Sequence, residues 1–97
     1  MCTLFIYRSK NTKWPVFIAN NRDEYLSRTF MPPGYHWDKS IYAGKDNMEG
    51  GTWLGINNHG LCAAILNRNS NNLKKNKVTS RGYIIIEALK QKSALDA

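Results

Sequence analysis

Residues 2–24 read CTLFIYRSKNTKWPVFIANNRDE and contain two apolar runs, Cys2–Tyr7 and Trp14–Ala19, separated by the polar segment Arg8–Lys13. Runs of this length, rich in β-branched and aromatic residues and bounded by polar residues, are typical of β-strands. They predict an antiparallel β-hairpin at the start of the chain. The polar stretch Asn20–Glu24 comes directly after the second run and has no glycine or proline, so a simple turn does not explain it.

The middle of the chain is predicted to hold a loop and a second hairpin. A loop from Ser27 to about Asp38 is expected, because Met31–Gly34 contains two prolines and a glycine. The further predicted elements are a short strand at Ile41–Ala43, a turn with positive φ at Gly50–Gly51, a strand at Thr52–Ile56, a turn at Asn57–Gly60 and a strand at Leu61–Leu66.

The last third of the chain is predicted to form a loop and a helix. Asn67–Thr79 holds five asparagines and is expected to be an exposed, mobile loop, and Ser80 is available to cap the predicted helix. Apolar residues at positions 85, 88 and 89, with Ile84 beside Ala88, have i, i+3, i+4 spacing and favour a helix over Arg81–Lys92. The isoleucine run 84–86 would also suit a buried strand. The predicted class is α+β, with antiparallel β-hairpins and a C-terminal helix.

Composition narrows the class of protein. A chain of 97 residues with 42% hydrophobic and 22% charged residues is expected to fold as one globular domain. No apolar run approaches the roughly 18 residues that span a bilayer, and no signal peptide is recognisable, so a cytoplasmic location is expected. Cys2 and Cys62 are expected to be free thiols, since a bridge would need an oxidising compartment.

The net charge of +7 is distributed unevenly along the chain. Residues 1–60 carry seven basic and five acidic side chains, and residues 61–97 carry seven basic and two acidic ones. The aromatic residues are not interleaved with the basic stretch of the last third, as they are in single-strand binding grooves. A solvated loop is therefore favoured there, and nucleic acid is not a predicted partner.

Cys2 is the first residue in the chain whose side chain is a candidate for catalysis. Removal of Met1 would put a thiol and a free α-amine on one residue, and an α-amine titrates at about 7.7–8.0. Such an amine can accept the thiol proton and return it to a leaving group, so Cys2 is a candidate nucleophile that carries its own base. The alternative is a small, buried apolar residue in an edge strand.

Arg22 and Asp23 are candidates for the same site. Antiparallel pairing in the predicted hairpin would return the end of the second strand to the start of the first, beside Cys2. A guanidinium there stabilises a thiolate, and a carboxylate holds an α-ammonium group or orients the amine. The alternative is a surface ion pair with Glu24.

Several short blocks of the sequence resemble one known family in the order in which that family carries them. The blocks are Met1–Leu4, Ala19–Glu24 with the tetrapeptide Asn21-Arg22-Asp23-Glu24, Ala43–Asp46, Gly50–Gly55, Asn67 and Ser80–Gly82. The chain resembles the NRDE family, the transport and Golgi organisation 2-like proteins. Family members are typically well over twice as long, so residues 1–97 are expected to form a single partial, truncated domain.

The resemblance implies a fold and a chemistry. Members look like N-terminal nucleophile hydrolases, in which two antiparallel sheets lie between helical layers and an N-terminal Cys, Ser or Thr attacks an amide. Cys2 matches that nucleophile, and Arg22 and Asp23 resemble the Arg and Asp of the related bile-salt and penicillin V hydrolases. Asn67 could donate to an oxyanion or be a turn residue. Gly50–Gly51 with Trp53 could form a pocket wall, or a turn followed by a core tryptophan.

Other functional classes stay open at this stage. A non-catalytic carrier in haem or lipid trafficking is one, with His36, His59, Cys2 and the methionines as conceivable iron ligands; an inactive truncated family member is another. The expected partners are an amide substrate or small-molecule ligand, together with a homodimer partner or a complementing second chain. No resident cofactor and no metal site are predicted.

Overall fold

The computed structural model describes residues 2–11, 13–66 and 81–97. This part of the chain forms six strands in two antiparallel sheets and one helix, which confirms the predicted α+β class. The elements are β1 Thr3–Arg8, β2 Val16–Asn21, β3 Phe30–Gly34, β4 Ile41–Asp46, β5 Leu54–Asn57, β6 Cys62–Ala64 and α1 Gly82–Leu89.

The first two strands form the predicted hairpin. β1 and β2 pair in continuous register from Thr3 opposite Asn21 to Arg8 opposite Val16. The second strand begins and ends two residues later than predicted. Pro15 precedes it and has no N–H to donate to the ladder, and Asn21 at its far end still pairs with β1. The polar stretch after the second apolar run thus begins inside the strand.

The remaining strands form one sheet in the order β3-β4-β5-β6. The predicted loop from Ser27 to Asp38 is wrong, because β3 lies within it. Among the described residues β3 pairs only with β4, which makes it an edge strand, and its register shifts between Met31 and Gly34. A proline is tolerated at an edge or a bulge because its missing N–H is not needed there, which explains how Pro32 and Pro33 fit.

The predicted second hairpin and its glycine turns are present with shifted bounds. β4 runs three residues further than predicted, to Asp46. Gly50 and Gly60 have φ of 82° and 80°, the left-handed region that glycine enters without strain. Gly51 does not share that conformation, and it is required for a different reason: a Cβ there would lie 2.6 Å from the carbonyl carbon of Gly82.

The core lies between the four-stranded sheet and α1. Its buried residues are Ile41 and Ala43 of the sheet and Ile85, Ile86 and Leu89 of the helix. The predicted helix is present, and the alternative of a buried strand is wrong. Burial of these side chains holds a short helix in place that would not be stable alone.

The face of α1 that enters the core differs in part from the predicted one. Ile86 is buried, whereas Ile84 is 60% exposed and Ala88 is only half-buried. The spacing pattern could not show which isoleucine is buried, since any of the three consecutive isoleucines satisfies an apolar position. The predictions for Asn67–Thr79 and Ser80 lie outside the described residues.

Asn57 is a buried polar residue that ties the helix end to the β5–β6 turn. Its Nδ2 donates to the carbonyl oxygens of Leu89 and Gln91 at 3.0 and 2.7 Å. Its Oδ1 accepts from the backbone N–H groups of His59 and Leu61 at 2.9 and 3.0 Å. The side chain therefore satisfies backbone groups that neither the helix nor the sheet can pair.

In the described parts of the chain, no helix has the length and apolar character needed to cross a membrane.

Replacing Asn57 by Ala should lower the free energy of unfolding by about 2–4 kcal/mol, because several backbone groups lose a partner at once. Urea denaturation followed by circular dichroism measures this loss. Asn58→Ala is the matched control, since Asn58 is exposed in the same turn. Equal urea midpoints for the two variants would contradict the assigned role of Asn57.

Candidate functional site

The hairpin register brings the two ends of the hairpin together at one site. Thr3 pairs with Asn21, so the residue before β1 faces the segment after β2. The half-buried thiol of Cys2 lies 3.8 Å from the backbone carbonyl oxygen of Asp23, to which it can donate a hydrogen bond. The predicted proximity of Cys2 to this segment is therefore present in the structure.

The carboxylate of Asp23 is held in its ionised form. A hydrogen bond from the N-terminal ammonium group lowers its pKa most, the positive charge of that group adds to the effect, and a hydrogen bond from Asn21 contributes further. The Asn21 bond runs from Nδ2 to Oδ1 of Asp23 at 3.1 Å. Asp23 is therefore anionic, and its backbone carbonyl oxygen lies next to the Cys2 thiol.

Arg22 is anchored on the four-stranded sheet by two aromatic rings. Its guanidinium carbon lies 4.7 Å from the ring centroid of Trp53 and 5.4 Å from that of Phe30. The two rings are nearly perpendicular, at 87°, with centroids 6.0 Å apart. Each such cation–π contact stabilises by about 0.5–2 kcal/mol, and together they restrict where the guanidinium can lie.

The position of Trp53 depends on a glycine in the neighbouring strand. A Cβ on Gly44 would lie 2.6 Å from both Cη2 and Cζ2 of the Trp53 ring, closer than real Cβ contacts allow. The indole therefore packs directly over the β4 backbone. This is the physical reason why a strand interior carries a glycine here, although glycine weakens strands in general.

A cavity of about 370 Å³ opens beside these groups, within the range of small-molecule sites. Both Cys2 and Arg22 line it. The other lining residues are Glu24, Arg28, Asp46, Gly51, Thr52, Trp53, Ile65, Arg81 and Gly82. The cavity thus combines groups from the hairpin, the end of β4, the segment before β5 and the start of α1.

An ion pair forms part of the cavity wall. Arg28 donates from Nε and Nη2 to the same oxygen of Asp46, at 2.9 and 2.5 Å. Burial works to raise the pKa of Asp46, but the hydrogen bond and charge of Arg28, with the backbone N–H groups of Met48 and Glu49, outweigh it. The net effect lowers the pKa of Asp46, so the two charges largely neutralise each other.

A second cavity of about 380 Å³ has a mostly apolar lining and shares Trp53 with the first. Val16 and Ile18 of the hairpin form one side, and Tyr42 and Ile56 of the four-stranded sheet form the other. These four side chains are 39–48% exposed. The indole thus lines both the polar cavity, where Cys2 lies, and the apolar cavity, where Cys62 lies.

The other predicted site residues have different outcomes. Asn67 lies outside the described residues, so its predicted role stays a prediction. Trp53 and Gly51 do line the polar cavity, as a pocket wall would. Nε2 of His36 lies 2.7 Å from the Pro32 carbonyl oxygen, and neither His36 nor the exposed His59 lines either cavity.

The pair of Arg28 and Asp46 was not predicted from the sequence. No local pattern joins residues 18 positions apart, although Asp46 belongs to one of the blocks shared with the family. Within the described residues, no group of three or more His, Cys, Asp or Glu side chains is placed to hold a metal ion.

The fold and the site define an α+β protein in which a cysteine before the first strand opens onto a polar cavity. The family model described as Transport and Golgi organisation 2 matches residues 1–97. The chain belongs to this family, which confirms the resemblance seen in its sequence blocks. No curated protein matches the chain, and no solved structure does.

The Asp46 carboxylate should make the stability of the protein depend on pH. Its folded-state pKa is lowered, so it stabilises the fold above the unfolded-state pKa of about 3.9, and this contribution is lost as the pH falls through the folded-state value. Asp46→Asn should lose about 1–3 kcal/mol at pH 7 and show a weaker decline in stability on acidification below about pH 4.

Urea unfolding at a series of pH values measures both effects. Asp96→Asn is the control, since Asp96 is exposed and outside the cavity. An Asp46→Asn protein with the same acid dependence as the unmodified chain would show that another group is responsible.

Proposed function

We propose that the chain hydrolyses amide bonds, with Cys2 as an N-terminal nucleophile once Met1 has been removed. The observation that carries this proposal is the meeting of three groups: the Cys2 thiol at the cavity, the Asp23 segment 3.8 Å away and a guanidinium, that of Arg22, in the same cavity wall. Membership of the family is consistent with it.

The chemistry uses these groups in turn. The α-amine of Cys2 takes the thiol proton, and the thiolate sulfur bonds to the amide carbonyl carbon. The tetrahedral intermediate collapses as the C–N bond breaks, and the α-ammonium group gives its proton to the leaving amine. Water then attacks the thioester, with the same amine as base, which releases the acid and restores the thiol.

Two residues have supporting roles in this scheme. In this scheme Asp23 accepts a hydrogen bond from the Cys2 α-ammonium group that removal of Met1 exposes, and so keeps the amine oriented. The lowered pKa of Asp23, caused by the N-terminal ammonium group of the chain that still carries Met1, supports this role. Arg22 adds positive charge to the cavity where negative charge develops on the sulfur and on the carbonyl oxygen. Asn67 stays a predicted oxyanion donor.

Cys2→Ala should abolish cleavage of an N-acyl p-nitroanilide, whereas Cys62→Ala should leave it unchanged, because Cys62 lies in the apolar cavity. Absorbance of released nitroaniline gives the rate, and intact mass shows whether Met1 is absent. An N-terminal extension that cannot be removed keeps the thiol but blocks the amine. It should lower the rate by about 10²–10⁴-fold, the usual contribution of a general base.

Cleavage that persists in Cys2→Ala would overturn the mechanism. The same conclusion would hold if protein that retains Met1 cleaved the amide at the full rate.

A second candidate function, a carrier for a small apolar ligand such as a lipid or haem, is favoured by one observation. The cavity of about 380 Å³ presents half-exposed apolar side chains from both sheets, and such patches are typical of ligand sites. His36 and His59 lie outside this cavity, so iron ligation by histidine does not support a carrier function. The support comes from the apolar lining.

Ile56→Lys should weaken binding of a fluorescent fatty acid by about tenfold or more, because it places a charge in the apolar cavity at a half-exposed position. Leu26→Lys is the matched control, since Leu26 is fully exposed and lies outside both cavities. A parallel haem titration monitors the Soret band. Equal uptake by the two variants, or no uptake by the unmodified protein, would count against a carrier.

A further inference from the structure

The guanidinium of Arg22 has an environment that differs from that of Arg28 in the same cavity. Arg28 is paired with Asp46, whereas no oxygen of the described residues accepts a hydrogen bond from Arg22. Its partners are the faces of two aromatic rings, Trp53 and Phe30. Ring faces attract the positive charge but leave the N–H donors unused.

Those donors are open to the solvent of the cavity. Arg22 is half-buried, and among the described residues no buried side-chain nitrogen or oxygen lacks a hydrogen-bond partner. The unpartnered nitrogens of Arg22 must therefore be accessible. The positive charge of Arg22 is not neutralised by an ion pair in the described residues, and it lies in a space of about 370 Å³.

We propose that Arg22 is a binding site for an oxyanion, a carboxylate or phosphate group, on the ligand that enters this cavity. A planar guanidinium matches such groups with two parallel hydrogen bonds, and a cation held on ring faces is already oriented to make them. Trp53 is the positioning residue, because its indole holds the guanidinium and is itself fixed over Gly44.

The site also narrows the substrate class. If the protein hydrolyses amides as proposed, its substrate carries a carboxylate or phosphate group near the scissile bond, within reach of both Cys2 and Arg22. Binding of an oxyanion by Arg22 does not depend on Cys2, so oxyanion binding and amide hydrolysis are tested separately.

Titration of ¹⁵N-labelled protein with acetate and with inorganic phosphate, at ionic strength kept constant with chloride, tests the site. The Arg22 Nε–H and Trp53 indole signals should shift and saturate with an oxyanion and not with chloride. Arg22→Gln should weaken binding, followed by the indole signal, about tenfold or more, since hydrogen bonds to a charged group are lost. Arg8→Gln removes the same charge from an exposed position outside the cavity and should have no effect.

The role of Trp53 is tested by two substitutions. Trp53→Phe keeps a ring face and should retain most of the oxyanion affinity, whereas Trp53→Leu should lose about as much as Arg22→Gln. A purely structural role predicts equal losses for the two variants. Equal binding by Arg22→Gln and Arg8→Gln, or shifts that do not saturate, would overturn the site.

Cys2→Ala separates this inference from the proposed function. Oxyanion binding should be the same in Cys2→Ala as in the unmodified protein. If it is, and the unmodified protein without Met1 cleaves no amide, the hydrolase fails and the binding site stands. If amides are cleaved but Arg22 binds no oxyanion, or a carboxylated amide is cleaved no faster than its methyl ester, the substrate class is wrong.

Discussion

The guanidinium of Arg22 lies 4.7 Å from the Trp53 ring, and this contact joins the hairpin to the four-stranded sheet. β1 and β2 pair mainly with each other, and an apolar cavity separates their Val16 and Ile18 from the sheet. This contact therefore helps to place Cys2 relative to the rest of the site.

An arginine held by aromatic faces suits such a junction for a chemical reason. A carboxylate partner would fix the side chain equally well, but it would consume the donors and cancel the charge, as Asp46 does for Arg28. Ring faces stabilise the cation without taking a hydrogen bond. The anchor thus leaves a positive charge beside the thiol, and that charge can act on a thiolate, an oxyanion or a ligand.

Parts of the fold could be predicted because their causes are local. Two apolar runs and a polar turn account for the first hairpin, and Gly50 needs its positive φ in a tight turn. β3 could not be predicted from its two prolines, because proline is excluded from central strands but is tolerated in edge strands. Whether Pro32 and Pro33 lie at an edge is a property of the whole sheet, and no pattern within five residues encodes it.

The proximity of Cys2 to the Arg22–Asp23 segment could be predicted from the amino-acid sequence, because antiparallel pairing places the start of the first strand of a hairpin beside the end of the second, whatever packs around them. The other residues that surround this site are placed by the tertiary structure. The pairing of Arg28 with Asp46 and the packing of Trp53 over Gly44 join different segments of the chain. Such contacts depend on how the hairpin and the sheet pack, which no local periodicity specifies.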